Sequence, residues 1–116
     1  MQAEHQLLAD LYAAFNDRDI DRCLAGMLPD VTWANGMDGG YVQGHEAVRE
    51  YWTRQWKQVN PTVEPVRFES HAGKIVVDVH QVVRAMDGSI LLDRVVKHIF
   101  TLEGLLVKAF EIADPK

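Results

Sequence analysis

The chain has a single cysteine, no long apolar run and no excess of basic residues, and each shortage excludes a class of protein. Cys23 alone cannot close a disulfide within the chain, and it suits a reducing cytoplasm. Among apolar helical neighbours it reads as a small hydrophobic residue rather than a nucleophile. No stretch approaches the roughly 20 apolar residues of a membrane span. The start, Met1-Gln2-Ala3-Glu4-His5, lacks the basic and then apolar order of a signal peptide. A net charge of −5 without a Lys/Arg run argues against a nucleic-acid surface. His5, His45 and His71 show no metal-ligand spacing, and no phosphate loop, nucleophile elbow or cysteine pair occurs. Gly36, Gly39 and Gly40 flank a loop without the spacing of a dinucleotide site. No linker or repeat divides the 116 residues, so one domain over 1–116 is expected.

What is present is strong periodicity. Leu7, Leu8, Leu11, Tyr12 and Phe15 recur at helical spacing and predict a helix over 2–16. Asp19 is a candidate N-cap for a short second helix with Ile20, Cys23, Leu24 and Met27 on its buried stripe, ended by Pro29-Asp30. A strand at 31–35 and a loop at 36–40 precede a third helix over 44–59, which buries Val48, Trp52, Trp56 and Val59 and is stopped by Asn60-Pro61. Four β-rich runs follow at 63–71, 74–86, 89–102 and 105–113, joined by Ala72-Gly73, Asp87-Gly88 and Glu103-Gly104. The order predicts an α+β domain with an antiparallel meander.

Treating each pair as a two-residue turn fixes the register. Gln81 then pairs with Arg94, Val79 with Val96, Phe68 with Val77 and Val66 with Val79. The last turn pairs Phe100 with Val107, His98 with Ala109 and Val96 with Glu111. One face collects Val66, Phe68, Val77, Val79, Val83, Leu92, Val96, Phe100, Leu105 and Val107 and should meet the helices. The other sets Arg67, Asp78 and Lys97 in a row of alternating charge. Beside that row lie Val82, Val95, Ile99, Leu106, Phe110 and Ile112, an apolar area that predicts a homodimer through the outer sheet face.

This register gathers Gln81, Arg94, His98 and Glu111 on the inner face. An inward carboxylate needs a partner, and Arg94 supplies a charge-assisted one. His98 is suited to general acid or base work near neutral pH, oriented by Glu111. Because Arg94 lowers the pKa of Glu111, His98 is the better proton shuttle of the two. Asp78 and His80 resemble an Asp-oriented base, but the register places them on the outer face. Tyr12, Phe15, Trp33, Trp52 and Trp56 are aromatic candidates for a cavity wall, and Tyr12 and Trp33 carry polar tips that want partners when buried.

Leu11-Tyr12, Asp17-Arg18-Asp19-Ile20-Asp21, the stretch from Pro29-Asp30-Val31-Thr32-Trp33 through Gly44-His45-Glu46-Ala47-Val48-Arg49-Glu50-Tyr51-Trp52, and Phe100-Thr101-Leu102-Glu103-Gly104 together resemble the nuclear-transport-factor-2-like superfamily, in its SnoaL-like and ketosteroid-isomerase-like branch. The resemblance covers nearly the whole chain. It implies a cone-shaped (cystatin-like) fold, with three helices packed on a strongly curved, mostly antiparallel sheet around a pocket, and a sheet-face dimer. In the isomerase branch a first-strand carboxylate moves a proton, while a helix-one Tyr and a neutral late-strand carboxylic acid hold the enolate oxygen. By position these fall on Asn35, Tyr12 and Val96. An amide is no base and valine no donor, so the usual steroid isomerase apparatus is absent. Asp38, three residues on, is a substitute base or a turn residue.

Two functions follow as expectations. One is a cofactor-independent isomerase, cyclase or hydratase acting by proton transfer on a hydrophobic carbonyl compound. In it His98 and Glu111 serve as acid or base, Tyr12 and Asn35 bind an oxygen, and Arg94 holds an anion. Gln81, Trp33 and Trp56 would complete the binding surface. The other is a non-catalytic ligand-binding or dimerising module. Neither needs a metal, nucleic acid or membrane.

Overall fold

Leu8, Leu11, Tyr12, Ala14 and Phe15 form the buried stripe of the first helix, α1 (Ala3–Asn16), at the spacing the sequence predicts. The computed structural model describes residues 3–36 and 39–113. Asp19 caps the second helix, α2 (Ile20–Leu24), by accepting from the Arg22 amide. This helix is shorter than its apolar stripe suggests. Met27 belongs instead to strand β1 (Met27–Ala34), which runs through Pro29 where its pairing is irregular. A three-residue strand unmarked by periodicity, β2 (Tyr41–Gln43), pairs with the end of β1. Helix α3 (His45–Gln58) follows, burying Val48, Tyr51 and Trp52.

The chain passes directly from α3 into β3 (Val59–His71), so Asn60-Pro61 stops the helix but opens a strand rather than a loop. Strands β4 (Lys74–Ala85), β5 (Ile90–Glu103) and β6 (Leu106–Ala113) complete a six-stranded sheet in the order β2-β1-β6-β5-β4-β3. All neighbours are antiparallel except β1 with β6. Pro61 and Pro65 lie in β3, an edge strand, where a missing N–H disturbs the ladder least. The helices cover one sheet face, and one continuous apolar core joins them to Val77, Val79, Val96, Phe100 and Val107. The result is an α+β cone.

Three irregularities decide which side chains enter it. In β3 an extra residue, Val66, bulges between Pro65 and Arg67. Phe68 still faces Val77, but Val79 faces Pro65, and Val66 is 64% exposed rather than in the core. Between β4 and β5 the turn is one residue longer than expected, since the Ala85 amide donates to Ser89 O. A bulge at Leu91 then restores the register, and Gln81 faces Arg94 as the sequence predicts. Between β5 and β6 the two-residue loop is Gly104-Leu105, with Glu103 opposite Leu106, so Leu105 is exposed at a turn. A bulge at Lys108 follows, so Phe100 faces Phe110, His98 faces Ile112 and Ile99 faces Glu111. The turn slips the pairing by two residues, which preserves the faces. The bulge adds one more, which exchanges them. Phe110 and Ile112 therefore join the inner face, and Glu111 turns outward.

Candidate functional site

The curved sheet and the helices enclose a cavity of about 340 Å³. Tyr12 of α1 and His98 of β5 stand deep inside it, both buried. The Tyr12 hydroxyl and His98 Nδ1 share a hydrogen bond of 2.8 Å, and the two rings stack at 5.8 Å with 14° between their planes. Phe110 meets the imidazole edge-on at 4.7 Å. Trp33 stacks on Phe110 at 4.1 Å and meets Trp52 edge-on at 5.3 Å, while Phe15 meets Trp52 edge-on at 5.2 Å. These rings form the aromatic wall. Farther along the inner sheet face, Gln81, Val83, Leu92 and Arg94 line the half-buried and exposed part of the cavity.

Burial sets the electrostatics of the floor. It pushes the Tyr12 hydroxyl well above its ordinary value, so the phenol stays protonated. It lowers the His98 imidazole to about 3, so the ring is neutral at physiological pH. Two neutral groups remain, each able to donate and to accept. Among the described residues Tyr12 is the one hydrogen-bond partner of His98, which leaves Nε2 for another molecule. With Nδ1 protonated and donating to Tyr12, Nε2 is an acceptor and the phenol O–H is available to donate. In the other tautomer the phenol donates to Nδ1, and Nε2–H is the donor.

Of the residues proposed from sequence, Tyr12, Trp33, Gln81, Arg94 and His98 meet around the cavity. Glu111 does not. The Lys108 bulge turns it to the outer face, where it lies half-exposed 3.8 Å from Lys74. Asn35 sits at the end of β1, where its amide donates to Gly40 O and its carbonyl accepts from the Gly39 amide; it does not line the cavity. Trp56 packs outside it against Phe15, beneath the Arg18 guanidinium. Val96 points inward but is sealed in the core. Asp38 lies outside the described residues. On the outer face Arg67, Asp78 and Lys97 form the expected row, with Lys97 Nζ 2.6 Å from Asp78. His80 pairs with Asp93 at 2.6 Å, not with Asp78. His45 is half-buried, its Nε2 3.0 Å from Met27 O. Cys23 is buried and its thiol is pushed up to about 12, as befits a packing residue.

Sequence reasoning missed Tyr51, Gln55 and Phe110. Tyr51 and Gln55 are four apart on α3 and share its cavity face, a spacing that was there to be read. The Tyr51 hydroxyl accepts from the Gly36 amide at 3.0 Å and ties the loop after β1 to α3. Phe110 was hidden by the bulge.

A cone of helices and curved sheet around an aromatic cavity with a neutral polar floor places the molecule in the NTF2-like class of folds. More narrowly, the sequence model of the SnoaL-like domain matches residues 8–104, and the chain belongs to that family. The crystal structure of TerC co-crystallised with polyporic acid superposes with a TM-score of 0.87 at 25% identity, over 98% of this chain and 92% of that one. An NTF2-like protein of unknown function from Burkholderia pseudomallei gives 0.87 at 26% identity, over 99% and 92%. An epoxide hydrolase from M. tuberculosis shares the fold, with a TM-score of 0.81 at 12% identity over 97% and 83%. No curated protein matches the sequence.

Proposed function

We propose that this protein is an enzyme that catalyses proton transfer on a small hydrophobic carbonyl compound, as an isomerase, cyclase or hydratase that uses no cofactor. The observation that carries the reading is the 2.8 Å Tyr12–His98 pair deep in an aromatic cavity. His98 Nε2 removes a proton from the carbon beside the carbonyl, while the Tyr12 hydroxyl donates to the developing enolate oxygen. The negative enolate stabilises the imidazolium that forms, which offsets the low basicity that burial gives the ring. Returning the proton to a different carbon completes an isomerisation without net change of atoms. The co-crystallisation of TerC with polyporic acid supports a small-molecule ligand for this protein.

Solvent-deuterium incorporation into 2-tetralone, followed by NMR, tests this without knowledge of the physiological substrate. Wild type should accelerate exchange, and His98→Gln should lower the rate about 10²-fold or more. Tyr12→Phe should lower it by about tenfold if one enolate hydrogen bond is lost. Exchange that is equal in all three proteins overturns the enzyme reading. A second reading, a non-catalytic binding module, is favoured by one observation: among the described residues no Asp or Glu lines the cavity. Binding of 2-tetralone without exchange would select it.

We also propose a homodimer through the outer sheet face, where Val82, Val95, Ile99 and Leu106 flank the Asp78–Lys97 pair. We propose a cytoplasmic setting, in which the single thiol of Cys23 would stay reduced.

A further inference from the structure

The cavity is electrostatically one-sided. Among the described residues that line it, Arg94 is the formally charged one, and no carboxylate faces it. Asp93, its neighbour along β5, points to the outer face and is taken by His80, opposite which Glu64 also lies. On the inner face Arg94 sits directly across from Gln81, close enough for the two side chains to grip one group. No hydrogen bond or ion pair within the described protein engages the Arg94 guanidinium. A guanidinium and an amide on facing strand positions, with no carboxylate among the described lining residues, can offer N–H donors to one carboxylate.

Position along the strand adds a length. His98 follows Arg94 by four residues on the same face of β5, roughly 13 Å at a rise of about 3.3 Å per residue. Val63, opposite Gln81, and Val83 line the cavity near Arg94, and the rings of Trp33, Phe100 and Phe110 gather at the His98 end. A ligand that touches both side chains must extend along the strand.

We infer that the cavity takes an elongated aromatic acid, with its anionic group on Arg94 and Gln81, its rings along the aromatic wall, and a hydroxyl or carbonyl oxygen at the Tyr12–His98 pair. This deepens the proposed function and rests on its reading of the cavity as a ligand site. The anion selects and orients the substrate at the outer end, while proton transfer takes place at the inner end. Arg94 is thus a specificity residue that lies apart from the reacting atoms.

Isothermal titration with 6-hydroxy-2-naphthoate and its neutral twin 6-hydroxy-2-naphthamide tests the inference. The naphthoate should bind wild type about tenfold more tightly than the amide, and Arg94→Met should remove that preference while still binding the amide. Arg94 is exposed, so the variant should fold, and Gln81→Leu gives a second, smaller loss in the same direction. Equal binding of the two probes to wild type overturns the acid preference and leaves the cavity reading intact. A preference that persists in Arg94→Met overturns the assignment of the anion to Arg94. If neither probe binds, and 2-tetralone also fails to bind, the ligand-site reading falls with it.

Discussion

At the scale of the residue, His98 carries both the proposed chemistry and a stability signature. Its folded pKa, about 3, lies below the ordinary 6.5 because burial penalises the charged ring. The unfolded chain therefore binds a proton that the folded chain refuses. The contribution is fully favourable above about pH 6.5 and is lost as pH falls toward 3, at up to about 1.4 kcal/mol per pH unit. Urea unfolding from pH 7 to pH 4 should show His98→Gln with a shallower pH dependence than wild type, by close to one proton. Identical slopes would mean that the imidazole is solvated. The same argument predicts that kcat/KM for 2-tetralone exchange stays flat from pH 8 to pH 5, because the free-enzyme base does not titrate there. A tenfold fall per unit below pH 6.5 would contradict it. The sequence placed His98 on the inner face from its spacing to Gln81 and Arg94. It could not supply the partner, because the Tyr12 contact joins residues 86 apart in the chain.

At the scale of the element, bulges and turns govern the site. The Lys108 bulge exchanges Glu111 for Phe110 inside the cone and converts an expected acidic floor into an aromatic one. Nothing in Leu-Val-Lys-Ala-Phe-Glu-Ile announces an extra residue, since alternation reads almost equally well in either phase. The β4–β5 register was legible because two irregularities there cancel. One turn is predicted from composition and strained in fact: Ala72 and Gly73 have φ of 52° and 79°, and only the glycine is at ease there. Ala72→Asn should stabilise the domain by about 0.5–1 kcal/mol in urea unfolding, as Asn tolerates the left-handed region. No gain would mean that the hairpin does not hold this turn. The end of α1 is fastened by a device the sequence does not disclose. The Asn16 side chain donates to Val63 O at 2.7 Å and accepts from the Val63 amide at 2.9 Å. Asn16→Ala should cost about 1–3 kcal/mol by leaving both Val63 groups without partners. It should also loosen the cavity wall that Val63 forms.

At the scale of the whole molecule, the architecture follows from three helical stripes and a run of hairpins, both strong periodic signals. The short β2 and the parallel β1–β6 pairing carry no local signal and arise from closure of the cone. The outer face keeps apolar side chains in view, Val95 at 46% among them. If that face is a dimer seam, light scattering should give twice the chain mass, and Val95→Lys should give the monomer. A monomeric wild type would leave the face without that role. The central claim is that the cone interior, with its neutral Tyr12–His98 floor, is the working site. A crystal structure with 6-hydroxy-2-naphthoate tests it most directly. The account predicts ring density along Trp33 and Phe110 and a ligand oxygen within about 3 Å of the Tyr12 hydroxyl or His98 Nε2. A cavity closed by its own aromatic side chains, with the ligand bound only on the outer surface, would contradict it.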